Sequence, residues 1–178
     1  MQRAAQALGL WHGPVHAECR VNHHGVFVLE VAARPIGGLC SRVLRFDDPG
    51  HPGGGPRSLE HLLLVHASGA DVSRLRREQA AAAVMMIPIP RRGVFKGVHG
   101  ESDARKVRYV EDVRITAKPD QVIEPLPEAG SYLGFIFARA PLDSEADTAV
   151  REAHGRLSFM VEPAIEVRSV ADGGNRAD

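Results

Sequence analysis

The chain has 178 residues, enough for one ordinary domain or two small ones with a real core, and its 22 basic and 22 acidic residues cancel. That balance argues against nucleic acid or an anionic membrane surface as a partner. Cys19 and Cys40 form no C-x-x-C arrangement; they exclude a disulfide scaffold, fit a reducing compartment and read as small buried apolar residues.

Gln2 to Leu8 reads as the last turns of a helix stopped at Gly9, because alanine favours the helix and glycine takes the αL cap. The segment is too polar for a signal peptide, and no run approaches the ~20 apolar residues of a membrane span, so no membrane is expected and the cytoplasm is the expected location. A domain rarely begins with the end of a helix, which makes the chain read as a fragment. Residues 14–21 and 26–34 alternate apolar and polar, the pattern of two strands that each bury one face. After Pro35 come Ile36-Gly37-Gly38 and then the glycine- and proline-rich stretch Asp48 to Pro56, a flexible surface loop. Ser58 is placed to cap a helix from Leu59 to about Ala67 that Gly69 stops, and a second, shorter helical turn is predicted around Val72–Glu78.

From Ala80 the character changes to short β-rich runs: Ala83–Ile89, Val94–Val98, Lys106–Ala117 with an interruption near Glu111-Asp112, Val122–Pro125 and Tyr132–Ala138. A helix from Ser144 to about His154, capped by Asp143 or Ser144, and a closing strand Arg156–Val161 follow. The expected organisation is α+β, with one unit over 1–79, a β-rich subdomain over 80–165 and a disordered tail over 166–178. No internal repeat or heptad seam is present.

A three-residue loop His23-His24-Gly25 pairs Asn22 with Val26 and, further out, places Glu18 opposite Glu30. One face then carries Val15, Ala17, Cys19 and Val21 with Phe27, Leu29, Val31 and Ala33, and is expected to be buried. The other carries His16, Glu18, Arg20, Glu30 and Arg34. Like charges opposed at ~5 Å repel, so something positive should lie between them. A hard divalent cation such as magnesium or manganese meets that need, and Arg34 can grip a transferring phosphate with its fork of donors. The competing reading is a solvated charged face that Arg20 or Arg34 neutralises.

The runs Gly13-Pro-Val-His-Ala-Glu-Cys-Arg-Val21 and Leu29-Glu-Val-Ala-Ala-Arg-Pro-Ile-Gly-Gly38 resemble the metal-binding strands of the ATP-grasp superfamily, in the branch of L-amino-acid ligases. Ser58 to Leu64, Val84 to Gly93, Pro125 to Pro127 and Gly130 to Arg139 resemble the same branch, so the likeness covers roughly residues 5–162. It implies the C-terminal part of an ATP-grasp fold, an antiparallel sheet with helices, followed by a small β-rich subdomain. It also implies a carboxylate–amine ligase working through an acyl phosphate, with ATP as co-substrate and Mg2+ or Mn2+ as cofactor. By resemblance Glu18 and Glu30 are the metal ligands, Arg34 is the catalytic arginine at the phosphoryl group, and Gly37 and Gly38 are the loop that approaches substrate. His16 is a further substrate or metal contact, with a hydrogen-bonded structural histidine as its alternative. Many relatives carry Asn two residues after the second Glu; here Ala32 stands there, leaving the second metal position one ligand poorer.

Other residues carry less. His23 and His24 read as solvated at a loop tip, Met85 and Met86 as core filler, and Arg91 and Arg92 as a solvated basic corner. Ser131 and His154 lack a G-x-S-x-G elbow, which removes a hydrolase reading. The lysines and glycine-rich lid that hold ATP do not precede Gln2. The implied partners are therefore ATP, an amino acid or other small carboxylate, and an N-terminal ATP-grasp half or separate subunit, with homo-oligomerisation open. The alternative is a non-catalytic interaction module that retains part of the fold.

Overall fold

The computed structural model describes residues 1–51, 53–127 and 132–164. The expected tail over 166–178 lies outside them, as do Gly130 and Ser131. The first helix is α1 (Gln2–Ala7), followed by Gly9 at φ +73°. Strands β1 (His16–Asn22) and β2 (Gly25–Ala32) form an antiparallel hairpin. A 3-10 turn at Cys40–Val43 leads into β3 (Arg45–Asp47), and β4 (Arg57–Ser58) leads into α2 (Leu59–Ala67). The Ser58 hydroxyl accepts from the His61 backbone N–H at 3.2 Å, satisfying one orphan donor of the helix start.

Where a second helical turn was expected, the chain is extended: β5 (Arg76–Arg77) pairs with β3, through Phe46 with Arg77 and Asp47 with Arg76. The helical pattern of Val72–Glu78 is too short to pay nucleation on its own, and one turn, Leu75 N–H to Val72 O at 3.0 Å, is all that forms before the ladder takes over.

The remaining elements are β6 (Ala81–Ile87), β7 (Gly93–His99), α3 (Glu101–Arg105), β8 (Val110–Ile115), β9 (Val122–Ile123), β10 (Gly134–Ala140), α4 (Asp143–Gly155) and β11 (Ser158–Glu162). They build two antiparallel sheets of order β6-β10-β8 and β11-β7-β9. The interruption expected near Glu111-Asp112 is a bulge: a turn occupies residues 106–109, β8 begins at Val110, and Glu111 is passed over in the pairing with β10, where Phe137 faces Asp112 and Ala138 faces Val110. Glycine at position 100 permits the reversal into α3, because it sits at φ +88° with the place of a Cβ only 1.9 Å from the Arg156 carbonyl oxygen.

Central strand β10 is buried on both faces, as a near-continuous apolar run requires. Ile136 and Ala138 join Ile87, Val113, Ala149, Val150 and Ala153 in the main core, where α4 lays the 3-4 spaced stripe Ala146, Ala149, Val150 and Ala153 on the sheet. Full burial of one such aliphatic side chain is worth about 1.5–3 kcal/mol. Phe135 and Phe137, on the opposite face, pack with Val43, Leu39, Ala82 and Val84. This second cluster seats the 3-10 turn on the sheet. Around it runs an ionic network: Arg139 binds Glu78, Glu111 (2.9 Å) and the Val43 carbonyl (3.1 Å), Arg45 binds Glu111 (3.0 Å), and Arg42 and Arg105 bind Asp112.

Two surface expectations also change. Arg91 is tied rather than solvated, its guanidinium donating to the Val161 carbonyl at 2.6 Å, while Arg92 pairs with Glu124 at 3.4 Å. Met85 packs against the core, but Met86 is 41% exposed.

Candidate functional site

The hairpin brings Glu18 and Glu30 face to face, by a route the alternation alone does not reveal. Asn22 pairs with Gly25 across a two-residue turn, not with Val26 across three residues. Carried outward, that register would set Glu18 opposite Leu29. A β-bulge between Glu18 and Cys19 takes up one extra residue of β2, so that Cys19 pairs with Val28 and Glu18 with Glu30. Inside the bulge the faces exchange: Phe27 lies across from Arg20 on the charged side, whereas the sequence pattern assigns it to the apolar side.

The expected burial of the apolar face does not occur. Of the residues the sequence pattern assigns to that face, Val15, Val21 (67% exposed), Phe27 and Leu29 are open, and so is Cys19, because alternation identifies which face is apolar without supplying an element to cover it. Cys40 is partly covered, and burial raises its thiol pKa.

On the charged face His16 Nε2 lies 3.5 Å from Glu18 Oε1, and Arg34 Nη2 lies 3.8 Å from Glu30 Oε1. Arg34 Nη1 also donates to the Pro35 carbonyl at 3.2 Å, which folds the guanidinium back over the start of the glycine loop. Arg20 makes no ion pair among the described residues, so of the two candidate neutralising arginines only Arg34 reaches a carboxylate. Both carboxylates remain more than half exposed, at 57% and 54%, and can accept a ligand with little desolvation penalty. The His23 and His24 rings lie against each other at the tip, 3.8 Å between centroids and tilted by 43°.

Among the described residues no group of three or more His, Cys, Asp or Glu side chains is arranged to hold a metal. Two hard carboxylates nevertheless fit magnesium, which commonly takes one or two protein carboxylates and completes its shell with water and substrate phosphates. The donor set agrees with a site shared with a nucleotide rather than a closed protein cage.

Gly37 and Gly38 continue from Arg34 onto the β6-β10-β8 sheet. A Cβ at Gly37 would stand 3.8 Å from Arg34 Nη1, and one at Gly38, whose φ is +62°, would stand 3.9 Å from the Phe135 ring. Beside this loop is a cavity of about 630 Å³ lined in part by Leu39, Met86, Arg114, Thr116 and Tyr132. Sequence reasoning did not single out Arg114: its alternation within β8 marks an outward residue and nothing more. A second cavity of about 560 Å³ lies between the base of the hairpin and α2, with His16, Ile36, Phe46, Leu62 and His66 in its wall.

Comparison with known proteins shows what this fold is similar to. Residues 85–162 match the family model "L-amino acid ligase C-terminal domain 2". The chain is 27% identical over 166 residues to the uncharacterized protein y4rH of Sinorhizobium fredii (strain NBRC 101917 / NGR234), covering 92% of this chain and 33% of the relative. Among solved structures it resembles L-amino acid ligase from Bacillus licheniformis, with a TM-score of 0.69 at 23% identity over 89% of this chain and 38% of that one. It also resembles phosphoribosylglycinamide synthetase from Anaerococcus prevotii, with a TM-score of 0.67 at 13% identity over 90% of this chain and 40% of that one. The corresponding values for N5-carboxyaminoimidazole ribonucleotide synthetase from Thermotoga maritima are 0.61, 14%, 89% and 40%. The chain thus spans about a third of the curated relative and about two fifths of the solved ones. It has the mixed, largely antiparallel fold of the C-terminal part of ATP-grasp enzymes, and its residues 85–162 resemble the second C-terminal domain of L-amino acid ligases.

Proposed function

We propose that this chain is the metal-binding C-terminal part of an ATP-dependent carboxylate–amine ligase that joins an amino acid, or another small carboxylate, to an amine. The single observation that carries the reading is the bulge-set opposition of Glu18 and Glu30, with Arg34 against Glu30, on a fold shared with such ligases. In this reading residues 1–79 supply the site and residues 80–165 form the subdomain on which the glycine loop rests.

Glu18 and Glu30 would hold magnesium or manganese, which when bound neutralises charge on the ATP phosphates. Arg34 steadies the transferring phosphoryl group with paired donors, and the Gly37–Gly38 backbone lets substrate approach it closely. His16 orients Glu18 through the 3.5 Å contact or meets substrate directly. A carboxylate oxygen attacks the γ-phosphorus and ADP leaves; the amine nitrogen then attacks the acyl carbon, phosphate leaves and the amine loses a proton. ATP requires contacts beyond this hairpin, so activity depends on an N-terminal ATP-binding half, in the same polypeptide or in a separate subunit. The cytoplasm supplies the ATP.

The test is amino-acid-dependent ADP release by the chain joined to, or mixed with, an N-terminal ATP-grasp half. The wild type should turn over, Glu30→Gln should lose activity at least a hundredfold, and Arg34→Lys should be slower because an ammonium cannot form two parallel phosphate contacts. Undiminished turnover in Glu30→Gln would remove the hairpin from the chemistry. The exposed apolar residues Val21, Val26, Phe27 and Leu29 support a second reading, a non-catalytic module that docks on another protein surface. Stable complex formation without ADP release would favour it.

A further inference from the structure

Arg42, Arg45, Arg105 and Arg139 on and around the β6-β10-β8 sheet are all engaged by carboxylates. Arg114 is the exception: among the described residues its guanidinium has no hydrogen bond or ion pair. The register sets Met86, Phe135 and Arg114 in one row across the three strands, since Phe135 pairs with both of the others. Directly paired residues share a face, so the free cation and an apolar wall front the same space. That space is the cavity of about 630 Å³, within the range of small-molecule sites, with Leu39 adding to its apolar part and Thr116 to its polar part. Gly37 connects it to the catalytic candidates, for it both lines the cavity and lies against the Arg34 guanidinium.

We propose that Arg114 binds the free carboxylate of the amine-donating substrate, an amino acid with an apolar side chain, in the cavity between the glycine loop and the β6-β10-β8 sheet. The proposal rests on the ligase reading for the identity of its ligand. Joining two amino acids involves two carboxylates with opposite fates. One is activated beside Arg34 and the hairpin; the other takes no part in bond making and remains charged in the product. A remaining charge held against Phe135, Met86 and Leu39 calls for a cation with no competing partner, and a guanidinium can meet both carboxylate oxygens at once. The apolar wall then faces the side chain, and the amine is directed toward the acyl phosphate at the Arg34 end.

The test uses the 178-residue chain itself, labelled with 15N and titrated with L-leucine and, separately, with L-leucinamide, which lacks the carboxylate. L-leucine should shift the backbone amides of Gly38, Thr116 and Tyr132 to saturation, and leucinamide should bind at least about tenfold more weakly. Arg114→Gln should weaken leucine by a similar factor, and Arg114→Lys should restore part of it. Where Arg114→Gln fails to give a folded spectrum, the leucinamide comparison and Arg114→Lys decide. Absence of saturable shifts with leucine, equal binding of leucinamide, unchanged binding in Arg114→Gln, or tighter binding of inorganic phosphate at the same amides would each overturn the proposal. Leucine binding through Arg114 without amino-acid-dependent ADP release in the complemented chain would leave this site standing and sink the ligase reading. ADP release with an unaltered amine KM in Arg114→Gln would do the reverse.

Discussion

Replacing Arg139 by Met tests whether charge, rather than apolar packing, joins the 3-10 turn and β5 to the β6-β10-β8 sheet. The guanidinium is 12% exposed and is bonded to Glu78, Glu111 and the Val43 carbonyl. Methionine keeps much of the apolar stem and removes the donors. The two carboxylates are not orphaned, because Glu111 retains Arg45 at 3.0 Å and Glu78 retains Arg77 at 3.3 Å. The cost should therefore fall below the ~3–5 kcal/mol of breaking a fully buried pair, yet above the ~0–1 kcal/mol of a surface pair. We put it at about 2–3 kcal/mol, dominated by lost charge-assisted bonds and the Val43 carbonyl. For a chain of this length that lowers Tm by roughly 5–10 °C. Circular dichroism melts and urea titrations measure both quantities, and a double-mutant cycle with Glu78→Gln isolates the more enclosed pair. A loss under about 0.5 kcal/mol, or a coupling to Glu78 near zero, would refute the reasoning and leave Val43, Phe135 and Phe137 as the junction.

Asp112 carries a pH prediction. Burial raises its pKa, but the guanidiniums of Arg105 and Arg42 outweigh that and hold the carboxyl below its ordinary value. Its folded pKa being depressed, the stabilisation is complete above the unfolded value of about 3.9 and is lost as pH falls through the folded one. Asp112→Asn should thus be less stable than wild type at neutral pH, with the difference vanishing in acid, as urea midpoints over roughly pH 2 to 7 would record. Gly100→Ala should cost at least about 3 kcal/mol or prevent folding, since its Cβ would lie 1.9 Å from a carbonyl oxygen at a φ of +88°. Gly155→Ala, where an added Cβ meets nothing within 4 Å, should change stability by no more than about 0.5–1 kcal/mol, and in the stabilising direction.

Local chemistry made several elements legible before any tertiary contact. Ser58, a hydroxyl ahead of an apolar run, marks the start of α2, and Gly69 at φ +82° follows its end. Alternation marks β1 and β2, a short apolar run marks β10, and Asp143 or Ser144 marks the start of α4; all depend only on neighbouring residues. Elements whose stability comes from distant partners were not legible. Residues 72–78 were expected to turn helically and instead supply β5, because Phe46 and Asp47 offer a ladder that no local pattern announces. The short helix α3 was missed for a related reason: five residues leave little periodicity to read, and its start depends on the fit of Gly100 against Arg156.

The candidate site divides along the same line. The sequence by itself determined that Glu18 and Glu30 share a two-stranded segment and that Arg34 and a glycine pair follow closely. Residue order within a hairpin limits which side chains can meet, whatever the rest of the chain does. The tertiary structure decided how they meet and what else is near. The bulge at Leu29 corrects a tighter turn and restores the opposition of the two glutamates, while the open hairpin face departs from the burial its alternation suggested. Arg114, 80 positions beyond Arg34, comes to the glycine loop only because Phe135 carries Gly38 on the same sheet row. Such proximity arises from packing between segments far apart in the chain, and period and propensity describe each segment alone.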